Sequence, residues 1–153
     1  MIALGIDPGS AICGFAFAQA LNSRLIPLHF GVISTPLNLP LHHRLLIIHS
    51  HLDQLISSFK PDLLAVEKLF FGRNSTTAIP VAHARGVVLL AAAQHNLPIL
   101  EFAPNEVKLA VTGYGHANKQ QVIFMVSKLF NLNAPPSPDD AADALAIAAS
   151  ALL

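Results

Sequence analysis

Three apolar segments that read as strands stand at the head of the chain, at 2–7, 12–19 and 25–33, with only short turn-forming stretches between them: Pro8-Gly9-Ser10 and Leu21-Asn22-Ser23. Connections this short allow antiparallel hairpins only, since a parallel crossover needs a dozen residues or more. The apolar period then changes. Leu41, Leu45, Ile48, Leu52, Leu55 and Ile56 form one stripe of a helix predicted over 41–59, which Lys60-Pro61 stops. A continuous apolar strand follows, Leu63-Leu64-Ala65-Val66, and ends in Glu67. Residues 76–95 read as a helix that is apolar on most sides, hence buried or at an interface. A short strand at 98–102 and two helices at 118–130 and 138–153 close the chain. This order predicts an α/β fold: a mixed sheet, three antiparallel strands then parallel ones, with helices on both faces. With no repeat or linker in 153 residues, one domain over 1–153 is expected.

Only 12% of the residues are charged against 53% hydrophobic, where about 25% charged is usual. So little charge implies covered surface, and a homodimer interface is the simplest cover. The apolar helix at 76–95 is the expected contact, through Val88 and Leu89. No apolar run reaches the roughly 18 residues that span a bilayer, so no membrane association is expected. The first seven residues lack the basic region and cleavage site of a signal peptide. Cys13 stands alone, which excludes an internal disulfide and fits a reducing cytoplasm; it reads as a small buried hydrophobe.

Asp7 and Glu67 each end an apolar strand. If those strands are parallel neighbours, both carboxylates reach the rim where α/β sheets bind ligands. In the last helix, Ser137-Pro138-Asp139-Asp140 reads as N-cap, Pro at the first position and acids in the first turn. Helix-end electrostatics account for Asp139 and Asp140 but not for Asp143, which sits within Ala141-Ala142-Asp143-Ala144-Leu145-Ala146-Ile147. Asp140 and Asp143 are three apart and share a face, and two like charges in apolar surroundings call for a cation. Carboxylates without matching Cys or His specify a hard ion, Mg²⁺ or Mn²⁺. Two such ions, about 3.5–4 Å apart, can clamp the attacking and leaving oxygens of a phosphodiester. His42, His43, His49 and His51 are a weaker alternative, since no Cys or acid completes a zinc set.

Net charge is zero, which by itself argues against a nucleic-acid partner. Placing Asp7, Glu67, Asp139, Asp140 and Asp143 in one site changes that. Four acids then remain to face nine Lys and Arg, which leaves +5 on the rest of the surface. Such a face is consistent with DNA binding once cations occupy the carboxylates.

Five segments, in order, resemble the RuvC family of Holliday junction resolvases: Leu4-Gly5-Ile6-Asp7-Pro8-Gly9-Ser10 with Gly14, Val66-Glu67-Lys68-Leu69-Phe70, Ala84-Arg85-Gly86, Gly113-Tyr114-Gly115-His116-Ala117-Asn118-Lys119, and Asp140-Ala141-Ala142-Asp143-Ala144-Leu145-Ala146. They span nearly the whole chain. The first is shared with actin-like ATPases and YqgF-type nucleases; the last two carry the specificity. The resemblance implies a ribonuclease H-like fold, and a homodimer that nicks two opposing strands of a four-way junction to leave 5′-phosphate and 3′-hydroxyl ends. It implies catalysis by Asp7, Glu67, Asp140 and Asp143 holding two Mg²⁺ ions, with Mn²⁺ able to substitute. It assigns Phe70 to stacking on unpaired bases, Arg73 to a basic loop position, and Lys108 and Lys119 to the scissile strand. It also implies a RuvA–RuvB branch-migration partner. Ala11 and Cys13 stand where many relatives have Arg and Thr, and Lys68 and Asp139 are not part of the pattern.

Three other readings compete. A sugar-kinase or actin-like ATPase needs two such domains to enclose a nucleotide. A YqgF-like nuclease acting on RNA fits the length but not the closing Asp140-Ala141-Ala142-Asp143. A non-catalytic junction-binding protein would not need all four acids.

Overall fold

The computed structural model describes residues 1–70 and 75–153. β1 (Ile2–Asp7), β2 (Ile12–Leu21) and β3 (Arg24–Ser34) pair antiparallel in succession, as expected. The second and third strands run further than their apolar pattern and close on Asn22-Ser23, both at positive φ (50° and 60°). That is the backbone of a two-residue hairpin turn whose twist matches the strands. α1 (Leu41–Phe59) carries the chain back, and β4 (Leu63–Glu67) lies parallel to β1 with Val66 opposite Ile6. α2 (Ser75–Gln94) leads to β5 (Ile99–Phe102), parallel to β4, giving the sheet order β3-β2-β1-β4-β5. α3 (Pro104–Thr112), α4 (Lys119–Leu129) and α5 (Asp139–Ser150) follow.

Two local expectations need correction. α3 was not foreseen, although its signals are present: Pro104 in the first turn, Glu106 accepting from the Ala103 N–H at 2.6 Å, and Gly113 ending it at φ 76°. The last helix starts one residue later than predicted. Pro138, still extended at ψ 178°, is its N-cap in place of Ser137, and no side chain caps it.

Strand alternation divides the core in two. Leu4, Ile6, Phe15, Phe17, Leu64 and Val66 face α1 and α2, whereas Ala3, Ala16, Ala18 and Ala65 face α3, α4 and α5. On that second face the chain leaves no room. A Cβ on Gly5 would stand 2.2 Å from the Ala144 carbonyl oxygen, and one on Gly14 would stand 2.1 Å from that of Asp140. α5, made largely of buried alanines, therefore lies backbone against backbone on β1 and β2. Cys13 is fully buried and burial pushes its thiol up to about 12, as suits a packing residue. Val88, expected at a dimer contact, is also fully buried, because it packs into the core that α2 shares with α1. No helix of the described residues is long and apolar enough to cross a membrane.

Candidate active site

The same alternation decides where the acids point. Asp7 follows Ala3 and Gly5 on the α5 side of β1, and Glu67 follows Leu63 and Ala65 on the α5 side of β4. Because Ile6 and Val66 are partners in parallel strands, the next residues, Asp7 and Glu67, emerge together at the carboxyl ends. Gly14, the β2 partner of Asp7, is the residue against which the Asp140 backbone rests. Asp143 lies one helical turn further on. The loop after Asp7 is tied down: the buried Thr35 donates its hydroxyl to Ser10 O at 2.6 Å and accepts from Arg44 Nε at 3.0 Å.

Three of the acids, Asp7, Glu67 and Asp143, are perturbed by their surroundings. Burial, followed by the charges of Asp143, Glu67 and Asp140, pushes the Asp7 carboxyl up to about 7, against the pull of Lys119. Glu67 is raised by burial and by Asp143, with Lys108 and Lys119 opposing. Asp143 is raised by burial although it accepts a 2.6 Å bond from Lys119 Nζ. Burial works against the Lys119 charge, yet the bond and charge of Asp143, with Asp139 and Asp7, hold its value above normal. Burial thus outweighs the mutual repulsion of Asp140 and Asp143 that the sequence suggests as the main strain.

Among the described residues, no three His, Cys, Asp or Glu side chains converge tightly enough to hold an ion as they stand. The donor chemistry nevertheless fits a hard divalent cation. All four groups are carboxylates, and Asp7, Glu67 and Asp143 are disfavoured in their charged forms by burial, which a nearby cation would relieve. The α1 histidines offer nothing comparable: His42, His43 and His51 are exposed, and His49 is hydrogen-bonded to Gln94 Oε1 at 2.6 Å.

Glu67 borders two adjoining cavities. One, of about 140 Å³, is lined by Lys108, Lys119 and Asp143; the other, of about 290 Å³, by Asp7, Phe70 and Arg85. A roomier groove beside Tyr114 and Phe124 is lined by no acid, whereas the smaller pair is lined by Asp7, Glu67 and Asp143. Lys108 reaches the cleft from α3 and Lys119 from the first residue of α4, whose start is set by reciprocal bonds between Asn118 and Gln121. Phe70 is 61% exposed at the lip. Arg73 lies outside the described residues. Arg85 had no role assigned from the sequence. Its Nε donates to the Glu67 carbonyl at 3.2 Å and its guanidinium pairs with Glu101, bracing the end of β4. Its place in the Ala84-Arg85-Gly86 segment, as a lone Lys or Arg on an otherwise apolar helix, was the available signal.

Comparison with known proteins identifies the family. The family model described as "Crossover junction endodeoxyribonuclease RuvC" matches residues 3–151. A crossover junction endodeoxyribonuclease RuvC of Desulfitobacterium hafniense (strain DSM 10664 / DCB-2) is 51% identical over 97% of this chain and 90% of its own. That of Carboxydothermus hydrogenoformans is 50% identical over 98% and 94%. A solved structure of Thermus thermophilus RuvC in complex with Holliday junction substrate superposes with a TM-score of 0.93 at 36% identity, covering 98% of this chain and 92% of that one.

Proposed function

The chain belongs to the RuvC family of crossover junction endodeoxyribonucleases, and from that premise we propose that it resolves four-way DNA junctions by paired symmetric nicks, with Asp7, Glu67, Asp140 and Asp143 as its catalytic, metal-holding residues. The observation that carries this reading is the meeting, on one face of the sheet, of four carboxylates from three distant segments. The nuclease is metal-dependent; two Mg²⁺ ions per site, replaceable by Mn²⁺, suit the donor set. When bound, such ions stabilise charge on the attacking and departing oxygens of the phosphodiester. The protein's own groups orient the strand. Lys108 and Lys119 place positive charge beside the acids, where the phosphate gains negative charge. Phe70 offers an exposed ring for an unpaired base, and the family resemblance alone adds Arg73 as a basic contact to the strand. The products are a 5′-phosphate and a 3′-hydroxyl.

Two symmetric nicks need two sites, and the outer face of α2 supports a homodimer. Ile79, His83, Gly86, Leu90 and Ala93 are all exposed. Their alternating spacing of four and three is the 3.5-residue period of a helix seam. A Cβ on Gly86 would meet nothing, so a second backbone can approach there. Leu90→Glu, and not a change at the buried Val88, is the variant expected to yield monomers. A RuvA–RuvB branch-migration complex is the proposed partner, and the lone buried Cys13 suits a cytoplasmic setting.

The decisive experiment incubates the protein and Mg²⁺ with a synthetic four-way junction, a duplex, an RNA–DNA hybrid and ATP. Paired, ligatable nicks in the junction alone are expected. Preferential cleavage of the RNA strand would favour the YqgF-like reading, and junction binding without cleavage the non-catalytic one.

A further inference from the structure

Lys119 occupies an unusual place for a residue that touches DNA. Its Nζ lies 2.6 Å from Asp143 Oδ2 and 4.0 Å from Asp139 Oδ2, inside the acid cluster and in the cavity that Glu67 also borders. The carboxylate it holds is one the proposed function needs as a metal ligand, so this inference rests on that reading. The Lys119 ammonium competes with a divalent ion for the Asp143 carboxylate, since two cations that close repel. The backbone at Lys119 is held by the Asn118–Gln121 capping bonds, but its side chain is 46% exposed, which leaves it room to turn toward an entering strand.

We infer that Lys119 is a placeholder cation that neutralises Asp143 in the DNA-free protein, and that a DNA phosphate entering the cleft draws it away and frees Asp143 for the metal ion. The phosphate is the stronger attraction only when a strand lies in the cleft, where Lys108 stands beside Lys119 to share its charge. Metal binding and substrate binding are then coupled through one side chain, and the protein without substrate loads metal poorly.

The test is a Mn²⁺ titration of the whole protein followed by electron paramagnetic resonance, which reads binding without turnover. Without DNA, Lys119→Met should bind Mn²⁺ about 5- to 150-fold more tightly than wild type, the usual range of coupling between two ligands. Lys119→Arg should keep the weak wild-type affinity. With a junction whose scissile phosphates carry non-hydrolysable linkages, adding the junction should raise Mn²⁺ affinity, after subtraction of Mn²⁺ bound by DNA alone. The same addition should do little once Lys119→Met is present. If Lys119→Met binds Mn²⁺ no more tightly than wild type while Asp143→Asn binds it less, the placeholder role is wrong and the metal site stands. If Asp143→Asn leaves Mn²⁺ binding unchanged, the metal-site reading falls, and the placeholder with it.

Discussion

On one face of the sheet, β1 and β2 present Leu4, Ile6, Phe15 and Phe17, and α1 and α2 cover them with Ile48, Leu52 and Val88. On the other face the same strands present Ala3, Gly5, Gly14, Ala16 and Ala18, and α5 covers them with alanines. Large side chains hold elements apart and adjust to one another, so such a core accepts volume-conserving changes. Glycine and alanine bring backbones into contact and leave nothing to adjust. The four acids proposed as catalytic are all on the second side. The two on α5 are placed by main-chain contact with β1 and β2, so the face with the smaller residues is the one proposed to carry the chemistry.

The sharpest way to break this comparison is one small change on each face. Gly14→Ala puts a methyl 2.1 Å from the Asp140 carbonyl oxygen and must displace the start of α5. It should lower the cleavage rate of the folded protein by about 100-fold or more, as a misplacement of about 1 Å can do. Leu52→Ala, in the opposite core, should cost about 2–5 kcal/mol of stability, yet leave the rate of the folded fraction near wild type. Single-turnover rates corrected for the folded fraction by circular dichroism compare the two. Equal losses of rate would mean that the faces do not differ in function.

A smaller effect separates stability from function on the α5 side. The Asp7 carboxyl is held near 7 in the folded protein against about 3.8 unfolded. The native state therefore binds the extra proton between those values, and stability falls as pH rises through that window. In EDTA at pH 8, Asp7→Asn should melt a few degrees higher than wild type, and the difference should vanish near pH 4. A lower melting temperature at pH 8 would make Asp7 a structural residue.

The smallest expected effect is at Asp139. It is exposed and 4.0 Å from Lys119, and Asp139→Asn should cost at most about 1 kcal/mol with cleavage within a small factor of wild type. Asp140→Asn should be close to inactive. Mn²⁺-dependent rates for the two variants decide it, and reversed results would mean that the wrong residue of the pair was assigned to the site.

Much of this was legible in the sequence. The two hairpins follow from turn chemistry and apolar period, and the intervening helix allows the parallel return of β4, whereas the choice of Asp140 over Asp139 as the partner of Asp143 comes from the family resemblance. The division of the faces was also written there, in the alternation Ala3-Gly5-Asp7 against Leu4-Ile6, but runs of uniformly apolar residues hide it unless size is read as well as hydrophobicity. The fit of α5 onto Gly5 and Gly14 was not legible, because backbone proximity leaves no mark beyond the glycines themselves. Arg85 escaped for a related reason: its partners are a main-chain carbonyl and a residue 16 positions away. The exposed seam of α2 could not be told from its buried face, since both are apolar, and so Val88 was placed on the wrong side.

The central claim is that residues brought together by this small-residue face act as one unit. It is tested most directly by single-turnover junction cleavage in Mg²⁺ with Asp7→Asn, Asp143→Asn and the double variant, each shown by gel shift to bind the junction. Each single change should lower the rate on the order of 10³-fold or more, and the double change should add little, because groups acting together are not additive. Either single variant cutting within about tenfold of wild type, or losses that simply multiply in the double variant, would contradict the account.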